Sequence, residues 1–341
     1  MREEEIVEKL QKLGLTKYES LAYITLLKLG PSKATDITKE SGIPHTRVYD
    51  VLSSLHRKGF VDVMHGTPRL YRPVNPEVVL ERIKEEFIED IEKLKEAFVE
   101  LYRQTHGQDL PEIWTILGFD NTLERVQHII RTARHEVLIN TPYEFLELLR
   151  RDIKARKDLV FVIVTNLPDE IPEWLMADNI LLARTGGAPW LMASWIIGDA
   201  DYAIFFGAIP KDKRREKFYS FWAKSPRAVF QYMHWFYTIY FDNSEVVKPL
   251  NYEAIPKPLT LVNIRTLITI LKQVGLPREA EIIGKLVDTR EPIELHGKVV
   301  DYEYTPLVAN VTIEAGGNRW KVGGISSYVE DVEGERFILL E

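Results

Sequence analysis

Between residues 76 and 104 the sequence contains no glycine and, after Pro76, no proline, and most of its side chains are strong helix formers. The stretch therefore has to form one long helix. Leu80, Phe87, Leu94 and Leu101 recur every seven residues, with Ile91 and Phe98 beside them, which is the spacing of a coiled-coil seam. A lone helix cannot bury such a stripe. Lys84 and Asp90 interrupt a strict seam, so two outcomes stay open: the helix pairs with its own copy in a homodimer, or it packs on the rest of the chain.

The segment before it is punctuated in a different way. Residues 15–30 read as an amphipathic helix capped by Thr16, with Glu19 three residues on, and ended by Gly30-Pro31. Leu21, Ala22, Ile24, Leu26 and Leu27 form its apolar face. Ser32 is placed to cap a short helix through Lys39, with Ala34 and Ile37 inward and Gly42 as its stop. A third helix over 44–58 sets Val48, Val51, Leu52 and Leu55 on one side and His45, Thr46, Arg47, Tyr49 and Asp50 near its start. Residues 60–63 and 69–72 then read as two strands around a turn that holds Thr67.

Three helices followed by a basic hairpin predict a winged helix-turn-helix over residues 1–75. In that motif the first residues of the recognition helix meet base edges, and phosphate contacts set affinity. The expected DNA-binding residues are His45, Thr46, Arg47 and Tyr49 on the helix, with Lys58, Thr67, Arg69 and Arg72 around the hairpin. A small helical interaction domain with a solvated basic surface is the competing reading. Overall the chain carries a net charge of −7, yet residues 33–72 hold seven Lys or Arg against four acids, and residues 77–100 reverse this with nine acids against four bases. Positive charge is concentrated where a DNA contact needs it.

The absence of cysteine excludes disulfides, thiolate metal sites and cysteine nucleophiles. The opening MREEEIVEKL lacks the basic and apolar regions of a secretory signal, and the longest apolar runs are too short to span a bilayer. A cytoplasmic protein without a membrane partner and without a cofactor is expected.

Residues 105–111 read as a linker, and residues 112–250 alternate strand-like and helical runs. Helices are predicted over 122–133, 143–157 and 228–241, and strands over 137–140, 159–165, 191–197 and 202–208, the pattern of an α/β layer fold. Beyond residue 293 the runs are short and strand-like. All seven tryptophans lie past the linker, where flat aromatic faces would suit sugar rings, although partly buried core positions are the plainer account. His296-Gly297-Lys298 with Glu303 approaches the His-x-Lys-x4-Asp pattern of phospholipase-D-type phosphodiesterases, but the acid is Glu and there is one copy where that chemistry needs two. No phosphate-binding, zinc-protease, nucleophile-elbow or dinucleotide motif is present. The run KDKRREK at 211–217 reads as a solvated loop. A phosphodiesterase or sugar-acting enzyme is therefore the alternative to a regulator.

GLTKYESLAYITLLKLG, SGIPHTRVYDVLSSLHRKGFV and GTPRLYRPVNP together resemble the winged-helix region of the archaeal TrmB family, and NVTIEAGGNRWKVGGISSYVEDVE resembles its sugar-binding end. The resemblance implies an α/β multidomain protein: the winged helix, a coiled-coil helix over 76–106, a phospholipase-D-like α/β effector domain over 107–290 without the catalytic motif, and a small β domain over 291–341. It implies a dimeric regulator, mainly a repressor of sugar-transport and glycolytic or gluconeogenic genes. Such a regulator binds a palindromic operator in double-stranded DNA and responds to a di- or oligosaccharide such as maltose, maltotriose, sucrose or trehalose. Carried onto this sequence, the sugar-binding residues fall on Gly324, Ser326, Glu330, Asn310 and Met233. Two positions depart: Ala309 precedes Asn310 where a second asparagine is expected, and Met233 follows Gln231-Tyr232 where a serine is expected.

Overall fold

The computed structural model describes residues 2–64, 66–105, 112–186, 193–207, 217–224 and 226–341. They fall into two compact units, Met1–Gln108 and Asp109–Glu341.

In the first unit four helices, α1 (Glu3–Lys12), α2 (Lys17–Leu29), α3 (Ala34–Ser41) and α4 (His45–Arg57), precede a hairpin of β1 (Val61–Met64) and β2 (Leu70–Pro73) and the long α5 (Pro76–Thr105). Thr16 caps α2 in the expected box: its hydroxyl accepts from the Glu19 amide while the Glu19 carboxylate accepts from the Thr16 amide at 2.6 Å. Gly42 takes the left-handed conformation, φ 68°, that ends α3 and turns the chain into α4. Ala22, Leu26, Ile37, Val48, Leu52 and Leu55 interlock as a fully buried core. Two expectations are corrected. Leu27 is exposed rather than part of the apolar face. Ser32 does not cap α3, because its backbone is taken by a bridge to Tyr71 of β2, N–H to O distances 2.8 and 2.9 Å, which ties the hairpin to the helices. α1 was not anticipated; Val7 and Leu10 bury it in the same core.

The second unit begins with β3 (Glu112–Leu117), α6 (Phe119–Thr132), β4 (Glu136–Asn140), α7 (Tyr143–Leu148), α8 (Arg150–Ala155), β5 (Val160–Thr165) and β6 (Ile180–Thr185). It continues with β7 (Ser194–Gly198), β8 (Tyr202–Phe206), β9 (Tyr219–Lys224), α9 (Pro226–Trp235) and β10 (Ser244–Lys248). The strands form one eight-stranded sheet, order β10-β6-β5-β4-β7-β8-β9-β3. β4, β5 and β6 run parallel, and their near-continuous apolar sequences reflect burial on both faces. Phe119, Val126, Phe145, Ile163 and Phe206 fill one face. Leu138, Val162 and Val164 meet α9 and the C-terminal elements on the other. The helix expected over 143–157 breaks into two at Leu149.

The remaining elements are β11 (Leu259–Leu261), α10 (Ile264–Val274), β12 (Arg278–Leu286), β13 (Pro292–Tyr304), β14 (Ala309–Ala315), β15 (Asn318–Gly323) and β16 (Val332–Leu339). They form a sheet of order β11-β16-β12-β13-β14-β15, which closes on itself because β15 also pairs with β16. A domain boundary at residue 290 is thereby corrected: it would cut the β12–β13 hairpin, whose register runs from Arg278↔Val299 to Lys285↔Pro292. Of the described tryptophans four follow the plainer account, while Trp114 and Trp235 are exposed instead, at 57% and 38%. Trp174 and Trp195 are core residues, Trp222 stacks on Tyr202, and Trp320 packs against the barrel cluster; Trp190 lies outside the described residues.

α10 is buried from Ile264 to Leu271, so its first turn needs acceptors for backbone N–H groups that no water reaches. Asn263 caps it, its side-chain oxygen accepting from the Arg265 amide at 2.8 Å, and the two amides that lead into the helix are taken by Glu136, at the start of β4 and 2% exposed. Its carboxylate accepts from the Val262 and Asn263 amides at 2.8 and 2.6 Å and from the Thr266 hydroxyl at 2.5 Å. Burial pushes its pKa up to about 7 from 4.5; the Thr266, Val262 and Asn263 hydrogen bonds oppose the rise and Asp199 adds to it. Because the folded value lies above the unfolded one, the stability this group contributes is full below about pH 4.5 and is lost as pH rises through about 7. At about 1.4 kcal/mol per unit this amounts to about 3 kcal/mol. Chemical denaturation of the full chain followed between pH 5 and 8 should show that decline, and Glu136→Gln should flatten it. An unchanged slope in the variant would refute the assignment.

Candidate functional site

α4 presents two chemically distinct faces. Val48, Val51, Leu52 and Leu55 are buried against α2 and α3, while His45, Thr46, Arg47 and Tyr49 are all exposed near its N-terminus. The His45 and Tyr49 rings meet edge to face, centroids 5.8 Å apart. A guanidinium, a hydroxyl, an imidazole and a phenol are thus held on one rigid turn by a helix whose opposite side is locked in the core. Thr67 and Arg69 are exposed on the wing turn. Arg72 is exposed on β2 but donates to Asp62 directly across the hairpin at 2.9 Å.

Lys58 departs from the expected role. Its ammonium donates to the Glu19 carboxylate at 2.8 Å and to the Gly14 carbonyl at 2.9 Å, so it closes the helical core rather than standing free for a phosphate. The physical reason is Glu19, a carboxylate only 3% exposed that needs a counter-charge. Burial alone would raise the Glu19 pKa, but hydrogen bonds from Lys58, Ser54 and Thr16 outweigh it and hold the value near 2.

On the barrel, Asn310 and Glu303 face each other across β13 and β14, and the Asn310 amide donates to Glu303 at 3.4 Å. Glu303 also pairs with Lys321 of β15 at 3.2 Å. One step beyond the last pair of the β14–β15 ladder, Val311↔Val322, Asn310 and Gly323 come side by side. Gly323 gives the Ser327 and Glu330 side chains their room: a Cβ there would sit 2.0 Å from the Ser327 hydroxyl and 2.9 Å from the Glu330 carboxyl carbon, so both would have to turn away. Gly324 lies against the first residue of α10, where a Cβ would come 2.9 Å from Ile264 Cγ2. Ser326 adopts φ 67° and its amide donates to the buried Glu333 at 2.8 Å.

The fold thus brings Asn310, Gly324, Ser326 and Glu330 to one end of the barrel. It adds Glu303, Lys321, Gly323 and Ser327, which sequence reasoning missed because only the strand register makes them neighbours. Met233 does not present a polar group there: it is 4% exposed in the apolar cluster shared by α9, α10 and the barrel. His296, Lys298 and Glu303 do not converge either. Lys298 pairs with Glu279 and Glu303 with Lys321, and seven residues of strand put His296 and Glu303 about 23 Å apart. Residues 106–111 of the expected linker and 211–216 of the basic run lie outside the described residues.

The comparisons with known proteins match this layout. The family "Sugar-specific transcriptional regulator TrmB" matches residues 10–77. The N-terminal subdomain of the TrmB effector-binding domain matches 112–248, and the C-terminal subdomain of TrmB/TrmBL1 matches 256–341. The chain is 64% identical over 342 residues to the "HTH-type sugar sensing transcriptional regulator TrmBL1" of Pyrococcus furiosus, covering all of both chains. It is 33% identical over 178 residues to a putative HTH-type regulator, TrmBL2, of the same organism, covering 46% of this chain and 67% of that one. A solved structure of TrmBL2, described as an archaeal chromatin protein, has a TM-score of 0.42 at 23% identity, covering 72% of this chain and 99% of that one.

Removing the Lys58 ammonium leaves a buried carboxylate without its counter-charge, so Lys58→Ala should lower the stability of the helical unit by about 2 kcal/mol. Since the folded Glu19 pKa is depressed, the stability it confers is present above about pH 4.5 and is lost as pH falls toward 2. Hydrogen-exchange protection of α2 and α4 peptides in the full chain, taken relative to the intrinsic exchange rate at each pH, should therefore fall on acidification in the native protein and already be low at neutral pH in Lys58→Ala. Equal protection in both proteins would overturn the role given to this pair.

Proposed function

We propose a function that starts from one premise: the chain belongs to the TrmB family of transcriptional regulators. It reads double-stranded DNA through the first turns of α4 and senses a sugar at the end of the barrel. The observation that carries the first half is the division of α4 into a buried apolar face and an exposed turn bearing His45, Thr46, Arg47 and Tyr49. Arg47 is the residue suited to guanine in the major groove, and Thr46 and Tyr49 flank it. Arg69 and Thr67 on the wing, with Arg72 once it exchanges Asp62 for phosphate, fix the register on the backbone. Arg47→Ala should weaken specific operator binding by about 1–3 kcal/mol, about 5- to 150-fold, and leave sugar binding intact. A gel-shift titration beside calorimetry with maltose tests this, and equal loss of both activities would sink the division of labour.

The sugar half is supported by the polar end of the barrel, where carboxylates at Glu330 and Glu303 and the amide of Asn310 can answer sugar hydroxyls. Next to Glu330, Tyr328 is 83% exposed and offers a flat apolar face to a ring. The effector is a di- or oligosaccharide of the maltose, maltotriose, sucrose or trehalose kind, with Met233 and Ala309 making the site less polar than a serine and a second asparagine would. The regulator acts mainly as a repressor of sugar-transport and glycolytic genes, and sugar alters operator affinity through a coupling of about 1–3 kcal/mol.

The active species is a homodimer. Phe87 of α5 is 64% exposed, and Leu80, Ile91, Leu94 and Phe98 are exposed with it, a stripe that a second α5 would cover. Two copies place two α4 helices on the half-sites of a palindromic operator. Phe87→Glu with Leu94→Glu should convert the protein to a monomer in light scattering and abolish tight binding to the palindrome. A double variant that stays dimeric would remove α5 as the seam.

A further inference from the structure

The His296-Gly297-Lys298 triplet has no part in the regulator described above, yet His296 occupies a defined chemical setting. β13 is an interior strand, paired to β12 on one side and β14 on the other. In the β12–β13 register His296 stands directly opposite Glu281, and Glu294, two residues earlier, points to the same face. One donor atom from each of Glu281, Glu294 and His296 lies within 4.8 Å of the other two. We propose that these three side chains form a binding site for a first-row divalent transition-metal ion.

Two independent observations carry the assignment. The first is distance. The imidazole Nδ1 lies 3.7 Å from the Glu281 carboxylate and Nε2 lies 3.4 Å from that of Glu294. Both exceed the usual N–H···O range of about 2.7–3.2 Å, so neither contact is closed by a good hydrogen bond. One ion takes only one of the two ring nitrogens, so the carboxylate facing the other has to swing across. One donor atom from each residue already lies within 4.8 Å of the other two, and closing by about 1 Å reaches the roughly 3.3–3.6 Å between ligands of one tetrahedral ion at about 2.0–2.2 Å.

The second observation is charge. Among the described residues, neither Glu281 nor Glu294 pairs with lysine or arginine. The nearest cation along the strand, Lys298, is held by Glu279 at 3.2 Å. Two carboxylates thus share one face with the imidazole, and the other cation on that face, Arg336 of β16, stands opposite Ile283 rather than Glu281. A cation that takes one imidazole nitrogen and one oxygen from each carboxylate neutralises this pair. Nitrogen ligation favours Zn2+, Ni2+, Co2+ and Cu2+ over Mg2+ and Ca2+, which prefer all-oxygen shells. Water completes the coordination, because the site opens to solvent: the side chains of Glu294 and His296 are 56% and 62% exposed. The assignment stands apart from the sugar reading, since it uses none of the residues placed at that end of the barrel.

The test is made on untagged full-length protein stripped with a chelator. Calorimetric titration with ZnCl2, and visible absorption with CoCl2, should report a single saturable ion per chain. Binding should weaken by more than about tenfold in His296→Ala and, separately, in the isosteric double variant Glu281→Gln with Glu294→Gln. MgCl2 should not compete. Absence of saturable binding, affinity retained in both variants, or displacement by Mg2+ at similar concentration would each overturn the proposal.

Discussion

A single buried carboxylate determines how the second unit is put together. α10 has no solvent face over most of its length, and a helix in that position is stable only if its leading amides are satisfied from outside. Glu136 reaches from β4 to the Val262 and Asn263 amides that lead into the helix, and because burial raises its pKa to about 7, the uncharged acid is the form that suits this place best. Glu136 is itself held in place: the Asp199 carboxylate accepts from the His135 and Glu136 amides at 2.8 and 3.0 Å, from a residue in the left-handed conformation at φ 50°. Further along, the Thr266 hydroxyl that donates to Glu136 also meets the Tyr237 hydroxyl at 2.7 Å. The α/β sheet, the aromatic segment after α9 and the barrel are therefore joined through one polar knot within an otherwise apolar cluster. Such a group is worth keeping only when every member is satisfied, since an unpaired buried charge would destabilise all three.

This arrangement bears on the proposed sugar response. The loop that carries Ser326, Ser327 and Glu330 starts at Gly324, which touches Ile264, the first residue of α10. A ligand that shifts this loop presses on the helix end that Glu136 holds. Ile264 and Glu136 thus form one contact route from the barrel end to the parallel strands.

How much of this was legible in the sequence depends on the range of the interaction concerned. Local signals were read correctly: the Thr16–Glu19 capping box, the Gly42 stop, the α4 face pattern and the long helix of α5. These depend on residues within a few positions of one another. α10 and β12 escaped notice for opposite reasons. The apolar run around residues 259–271 is equally compatible with a strand or a buried helix. β12 carries Arg278, Glu279, Ala280 and Glu281, residues that favour helix, and becomes a strand only because pairing with β13 and β16 overrides that preference. The placement of Asn310, Gly324 and Glu330 near one another followed from a resemblance, but their added neighbours Glu303, Lys321 and Gly323 needed the register. Glu136 was invisible because its partners lie 126 to 130 residues away.

The first unit shows why counting basic residues overstates a DNA-binding charge. Of the seven cations between residues 33 and 72, Lys58 is committed to Glu19 and Arg72 to Asp62, so the exposed positive surface rests on the other five, Lys33, Lys39, Arg47, Arg57 and Arg69. The commitment of Lys58 has a structural consequence beyond electrostatics. Its carbonyl accepts from the Arg82 guanidinium of α5 at 2.8 Å. The following Gly59, at φ 71°, leaves room for that guanidinium, since a Cβ there would lie 3.0 Å from Arg82 Nη2. The end of α4 is thus fastened to the start of α5 by a hydrogen bond that lies close over Gly59, whose positive φ favours glycine. The Lys58 peptide therefore links the end of α4 to α5, and the Lys58–Glu19 pair holds the same end of α4 on its core.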